Sequence, residues 1–276
     1  MKFSVLMSVY KNETAKFFLE SVESVMGQTV KPDQIVLVRD GQVPEELSKA
    51  IDMVLEKYKG VFTFIPLEQN GGLGNALKIG LTECVHPLVA RMDTDDICLQ
   101  DRFEKQLKCF DEDENLDICG GDVAEFYNSP EEIVSYRKVP KTNEEIKKGI
   151  KKRNPFNHMT VMFKKEPILN AGGYEPFHLL EDWYLWLRLY LNGCKFKNVD
   201  GVLCNMRITG VAARRGGYKY FKSCKKLLKF MRQNKIISWF GYVKACVIRF
   251  CGYVLLPNKL RAYLYKKLLR KKSLTT

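Results

Sequence analysis

Apolar residues recur along the first third of the chain in two rhythms. Four short runs, Phe3 to Val9, Gln34 to Val38, Phe62 to Ile65 and Leu88 to Met92, are rich in Val, Ile and Phe, and runs of this length and composition predict buried strands. Between them the spacing lengthens. Phe17, Ser21, Val22, Val25 and Met26 share one face of a predicted helix, and Leu47, Ile51, Val54, Leu55 and Tyr58 share one face of the next. Strand and helix in strict alternation predict an α/β domain with a mostly parallel central sheet flanked by helices, joined by right-handed crossovers. Ligands in such sheets sit beyond the carboxyl ends of the strands, so the loops that follow the strands are where chemistry is expected.

Those loops are Ser8 to Asn12, Arg39-Asp40-Gly41, Glu68 to Gly74 and Asp93-Thr94-Asp95-Asp96. No G-x-G-x-x-G follows the first strand and no Walker A lysine occurs, which speaks against a dinucleotide enzyme and a P-loop kinase. Gly71, Gly72 and Gly74 come after the third strand, where they serve either a helix start needing positive φ or a direct ligand contact. The loop after the fourth strand packs three acids into four residues. If strand geometry continues one step past the apolar run, Asp93 and Asp95 project to one side. Two converging carboxylates repel unless a cation lies between them, and a hard divalent ion such as Mg²⁺ bound with substrate phosphates meets that need. Asp111-Glu112-Asp113 repeats the triplet without a preceding strand and reads as a solvated turn.

Downstream, Leu179 to Arg188 opens a helix with an acidic first turn and an apolar face of Trp183, Trp186, Leu187, Tyr190 and Leu191. Glu181 and Asp182 there either complement the helix dipole or supply a general base held rigid by the aromatic residues behind it. Asp40 likewise has two readings, a turn residue in Asp-Gly and a nucleotide contact.

Composition changes the picture only where it is uneven. At 276 residues, 46% apolar and 28% charged, the chain is an ordinary globular protein. Its nine cysteines show no paired or zinc-like spacing and its start lacks an export signal, so thiols in a reducing cytoplasm are expected. The net charge of +13 is segregated: Val211 to Thr276 holds 18 Lys and Arg with no acid, while residues 1–210 hold 27 bases and 32 acids. A catalytic body (1–210) and a basic tail (211–276) follow from that division, and the tail asks for an anionic partner. Ile236 to Leu256 is long enough to span a bilayer, but Lys244 and Arg249 interrupt it. On a helical wheel Trp239, Phe240, Val243, Val247, Phe250 and Val254 lie opposite Ser238, Gly241, Lys244, Ala245, Arg249 and Gly252. This is the pattern of an amphipathic helix lying on an anionic membrane face, flanked by Lys222, Lys225, Lys226, Lys229, Lys266, Lys267, Arg270, Lys271 and Lys272.

Five stretches taken in order, Ser4 to Asn12, Val36 to Gly41, Asn70 to Leu77, Met92 to Asp96 and Leu180 to Arg188, resemble family 2 glycosyltransferases of the GT-A fold. Asn154 to Phe163 is similar to a stretch in the bacterial exopolysaccharide, capsule and O-antigen members. The resemblance covers residues 1–210. It implies that Asp40 meets the nucleobase of a nucleoside-diphosphate sugar, Asp93 the ribose, and Asp95, with Asp96 as alternate, a Mg²⁺ or Mn²⁺ on the diphosphate. Val9, Tyr10, Asn12, Asn70 and Gly74 would line the donor site, as would Asn75, Arg91, Thr94 and Arg207. Asp182, with Glu181 beside it, would be the base of a single inverting displacement, and His158 and Trp183 would face the acceptor. Ser8 stands where the family usually has proline, Asp40 alone where it often has paired acids, and Arg207-Ile208-Thr209 where many members have Arg-x-His. Arg207, Arg214 or Arg215 would then neutralise the diphosphate.

Joined to the tail, these features imply a cytoplasmic enzyme, peripheral on the inner face of the membrane, that adds one sugar per encounter to a polyprenyl-diphosphate-linked saccharide. Nucleic acid is not expected as a partner. The rival readings are a sugar-nucleotide pyrophosphorylase, which would want an Arg-bearing Gly-rich loop after the first strand, and a nucleic-acid binder using the basic tail.

Overall fold

Each of the four apolar runs folds as a strand reaching one or two residues past its apolar part: β1 (Phe3–Tyr10), β2 (Gln34–Asp40), β3 (Phe62–Pro66) and β4 (Leu88–Asp93). They pair in parallel in the order β3-β2-β1-β4. Helices α1 (Ala15–Met26), α2 (Glu45–Lys57) and α3 (Leu73–Glu83) make the crossovers. The computed structural model describes residues 1–208, 215–257, 260–261, 263 and 270–271. Period-two alternation on β1 sends Phe3, Val5, Met7 and Val9 into a cluster with Phe18 and Val22 of α1 and Leu47 and Ile51 of α2. Leu6, Val36 and Val38 point the other way, onto Ala76 and Leu77 of α3. Gly80 lets α3 settle there, since a Cβ at that position would meet Leu6 Cδ1 at 2.5 Å and Val38 Cγ2 at 2.7 Å.

The second half turns antiparallel. β5 (Ile97–Cys98), α4 (Arg102–Glu112), β6 (Ile118–Phe126), β7 (Ile133–Arg137) and α5 (Asn143–Gly149) are followed by a 3₁₀ turn at His158–Thr160 and then β8 (Met162–Lys164) and α6 (Lys165–Asn170). After these come α7 (Glu181–Leu191) and β9 (Phe196–Arg207). The sheet runs β3-β2-β1-β4-β8-β6-β9-β5, with β7 also on β6. β8 is antiparallel to both neighbours, whereas β9 runs parallel to β6. α7 is buried almost all round rather than along one stripe: Leu185 and Leu189 are buried with Trp183, Trp186 and Leu187, while Leu191 is 41% exposed.

The expected boundary at 210/211 lies outside the described residues, as do Thr209, Arg214, Lys266, Lys267 and Lys272. The core continues beyond it. α8 (Gly217–Gln233) buries Tyr220, Cys224, Leu227, Leu228 and Met231 in the cluster that holds Trp186 and Leu187. The apolar stretch 236–256 is not one helix: Ile236 is buried, Ser238 caps α9 (Trp239–Phe250), and a π-turn follows at Cys251–Leu255. Among the described residues no helix is long and apolar enough to cross a membrane. Tyr242, Ala245 and Cys246 of α9 lean on the core, while Trp239, Phe240, Val247 and Ile248 stay 56–79% exposed. The tail then returns to the body. Lys271 bridges Tyr136 on β7, and Arg270 ion-pairs with buried Glu125, which removes Arg270 from the basic residues available to a membrane. All nine cysteines are unpaired and seven are buried.

Candidate active site

Register aligns the carboxyl ends of three strands, with Tyr10 opposite Asp40 and Ser8 opposite Asp93. A turn begins where β4 ends, and many contacts fix it. Ser21 of α1 donates to Asp93 O (2.8 Å), and the Thr94 hydroxyl donates to Ser8 O (3.2 Å) and to Glu13 (2.9 Å). The Arg207 backbone N–H donates to Asp96 Oδ1 (2.8 Å) and its Nε to Asp95 O (3.2 Å). So held, Asp93, Asp95 and Asp96 offer carboxylate oxygens within 4.8 Å of one another, the one such group of acids among the described residues. Burial and the neighbouring charges of Asp93 and Glu13 push Asp95 up to about 7, and burial, Asp95 and Asp93 push Asp96 well above its ordinary value. Asp96 is buried, whereas Asp93 and Asp95 are half-exposed. A cluster holding this much unrelieved negative charge fits a hard divalent cation, with Asp93 and Asp95 reachable and Asp96 behind them.

Arg91 is the buried counter-charge. It is 1% exposed and pairs with Asp93 through Nη2, while Nε and Nη1 donate to nothing among the described residues. Its field favours the ionised forms of Asp95, Asp96 and, on α7, Glu181. Asp93 in the acidic turn after β4 pairs with this charge, and Glu181 in the first turn of α7 feels it.

At the start of α7, Asn154 Nδ2 donates to Asp182 Oδ2 (2.5 Å), and Arg137 in turn donates to Asn154 O (3.1 Å). Burial raises the Asp182 carboxyl, opposed by the Trp183 N–H, Arg215 and Asn154. Burial and the Asp182 charge bring Glu181 to about 7. Leu179, one residue before the cap, is held at φ 60, an unfavourable conformation for a branched side chain that tends to occur at functional sites.

The remaining expected residues divide between those at the cleft and those committed elsewhere. Tyr10 is half-buried at the end of β1 and Asn12 is exposed in the loop after it. Asp40 accepts from Gly71 N–H (2.7 Å), Gly72 N–H (2.9 Å) and Asn70 Nδ2 (3.0 Å), so it anchors the glycine loop. Asn75 folds against that loop, its Nδ2 2.5 Å from where a Gly71 Cβ would stand. Of the glycines, Gly72 carries the positive φ (83). Gly74 is buried, and a Cβ on it would lie 2.8 Å from Glu175 O, so it permits packing rather than ligand contact.

Four of the expected residues have their side chains committed elsewhere. Val9 is fully buried in the core below the site. The Arg207 guanidinium bonds Glu20 (2.9 Å) and Asn128 O, with Phe17 and Phe126 rings 3.7 and 4.6 Å away, so it braces the acidic turn from beneath instead of meeting a diphosphate. His158 is buried against Tyr174 (3.0 Å) and kept neutral by burial and by Arg91. Trp183 is buried with its indole N–H on Ile150 O (2.9 Å), so it supports the helix instead of touching an acceptor. Sequence reasoning missed Glu13, Glu20, Ser21 and Arg137, whose partners lie far along the chain. Asn154 opens the 154–163 stretch, yet nothing in the local pattern gave it a role.

The family model described as "Glycosyl transferase family 2" matches residues 4–167. The chain belongs to glycosyltransferase family 2. This sets aside the pyrophosphorylase reading. Among its relatives, an Escherichia coli UDP-Gal:alpha-D-GlcNAc-diphosphoundecaprenol beta-1,3-galactosyltransferase is 40% identical over 98% of this chain and 97% of its own. The amylovoran biosynthesis glycosyltransferase AmsE of Erwinia amylovora is 36% identical over 96% and 98%. Among solved structures, the mannosyltransferase PcManGT of Pyrobaculum calidifontis, in complex with GDP-Man and Mn²⁺, superposes with a TM-score of 0.62 at 16% identity, covering 94% of this chain and 71% of that one. The GT-A fold of this glycosyltransferase is thus shared well beyond the reach of sequence similarity.

Proposed function

We propose that this glycosyltransferase moves a sugar from a nucleoside diphosphate to a hydroxyl of a saccharide carried on a polyprenyl diphosphate, with inversion, in surface polysaccharide biosynthesis. The observation that carries the mechanism is the clustered acidic turn 93–96, paired with buried Arg91, together with an Asp182 held by Asn154. Asp182, oriented by Asn154, takes the acceptor proton as the acceptor oxygen attacks the anomeric carbon. The bond from that carbon to the nucleotide phosphate breaks, and the nucleoside diphosphate leaves with its electron pair. Asp95 and Asp93, with Asp96 behind, would hold Mg²⁺ or Mn²⁺, which supplies charge stabilisation to the leaving diphosphate. The glycine loop anchored by Asp40, with Tyr10 and Asn12 across from it, lines the nucleotide end. Support for donor and acceptor class comes from the named substrates of the Escherichia coli relative.

The same proposal puts the protein on the inner face of the membrane through α9. Its free apolar side and the surrounding bases suit an anionic headgroup layer. The test of the chemistry is Asp182→Asn, followed by nucleoside-diphosphate release with donor and lipid-diphosphate acceptor. Turnover should fall by about 10²–10⁴-fold with donor affinity retained. Undiminished turnover would remove Asp182 as base.

A further inference from the structure

Residues 147–153, Lys-Lys-Gly-Ile-Lys-Lys-Arg, carry five bases in seven positions within the mildly acidic body. They flank a cavity of about 530 Å³ between the end of β7 and α5, lined by Lys138, Lys141, Glu145, Lys148 and Lys152 with Val139, Pro140 and Gly149. Two of the charges facing it are committed. Glu145 accepts from Lys141 N–H (2.9 Å) and Thr142 N–H (3.2 Å) as the cap of α5, and Lys141 Nζ sits on Asp122 (2.9 Å) and Val199 O (2.8 Å). Lys148 and Lys152 are both exposed, four positions apart, and no ion pair to either occurs among the described residues. Lys148 near the end of α5 and Lys152 in the turn after it line the same cavity, where two like charges repel, and a multivalent anion between them relieves the repulsion.

We propose that this cavity holds the diphosphate of the lipid-linked acceptor, which deepens the function proposed above and rests on its acceptor class. Position favours this anion over others. Ile150 O accepts the Trp183 indole N–H, Lys152 O accepts from Arg249 of α9 (3.3 Å), and Asn154 donates to Asp182. One short segment thus joins the cavity, the apolar helix and the base. From Lys152 to Asn154 is two residues, at most about 7 Å of backbone. A diphosphate gripped by Lys148 and Lys152 would leave its prenyl chain beside the exposed side of α9 and its first sugar within reach of Asp182. Lysine suits the task as a mobile point charge for phosphate oxygens.

The test uses flotation of the full chain with phosphatidylcholine vesicles, with divalent cations chelated so that the donor site takes no part. The vesicles carry either geranylgeranyl diphosphate or phosphatidylglycerol at equal charge density. The wild type should prefer the diphosphate vesicles, and Lys148→Ala with Lys152→Ala should lose that preference, about tenfold in affinity, while keeping phosphatidylglycerol binding. Lys147→Ala with Lys151→Ala, which removes the same charge outside the cavity, should keep it. If the Lys148/Lys152 variant retains the preference, the cavity assignment is overturned and the acceptor class stands. If the wild type shows no preference, the acceptor class falls with it. Equal loss in both variants would mean net charge alone acts, and also overturns the cavity assignment.

Discussion

Asp95 stands at about 7 against an ordinary 3.8 because it is partly withdrawn from water beside the charges of Asp93 and Glu13. The fold therefore keeps a proton there that the unfolded chain has already released. That contribution to stability is complete below about pH 4 and is lost as pH rises through 7. Without divalent cation, the melting temperature should be lower at pH 8 than at pH 6 by roughly 5 °C. Millimolar Mg²⁺ or Mn²⁺ should restore it at pH 8, because the cation takes over from the proton, and Asp95→Asn should flatten both responses. A pH 8 melt that ignores added metal would leave the turn a structural feature only. The acids of this turn were legible because three carboxylates in four residues, directly after an apolar run, demand a counter-charge wherever the chain places them. Arg207 was legible as a charge but not as a brace. Its partners Glu20 and Asn128, 187 and 79 positions away, are set by tertiary packing that no local pattern records.

At the scale of elements, α3 packs at Gly74 against the backbone of Glu175 in the segment that leads from α6 into α7. Gly74→Ala would push a methyl to within 2.8 Å of that backbone oxygen, which has no flexible side chain to yield. A cost of about 1–3 kcal/mol is expected, read as a melting temperature lower by roughly 2–10 °C. Turnover should fall about tenfold, because the displaced segment leads into Asp182. An unchanged melt and rate would show slack in this contact. The early strands and helices could be read because each repeats one period cleanly. β6, with every residue buried, could not: Asp122 and Glu125 interrupt its apolar pattern, and their burial depends on Lys141, Ser135 and Arg270 from other elements.

Across the whole molecule, the basic segment 147–153 and α9 with its exposed apolar side are tied together through Arg249 and Lys152 O. The basic composition of 211–276 was legible by counting, whereas the division of that segment was not. α8 belongs to the core, α9 rests on it, and Arg270 with Lys271 comes back to β6 and β7. Trp239 and Phe240 are 57% and 79% exposed, so Trp239→Ser with Phe240→Ser should leave the melting temperature within about 2 °C. Sedimentation with phosphatidylglycerol vesicles should weaken by about tenfold or more, since each ring contributes roughly 1.5–3 kcal/mol when buried. Equal sedimentation of variant and wild type would remove α9 as the anchor.

The hydrogen bond from Arg207 N–H to Asp96 spans 111 positions. During synthesis the four parallel strands can assemble on the ribosome long before β9 emerges, yet the acidic turn stays without its brace until that last strand slots in beside β6. A nascent chain stopped at residue 167, where the family match ends, would therefore own the three aspartates and their contacts to Ser21, Ser8 and Glu13 but lack the Arg207 bonds to Asp95 and Asp96. The ion binding proposed for this turn would then be complete only once β9 has paired with β6.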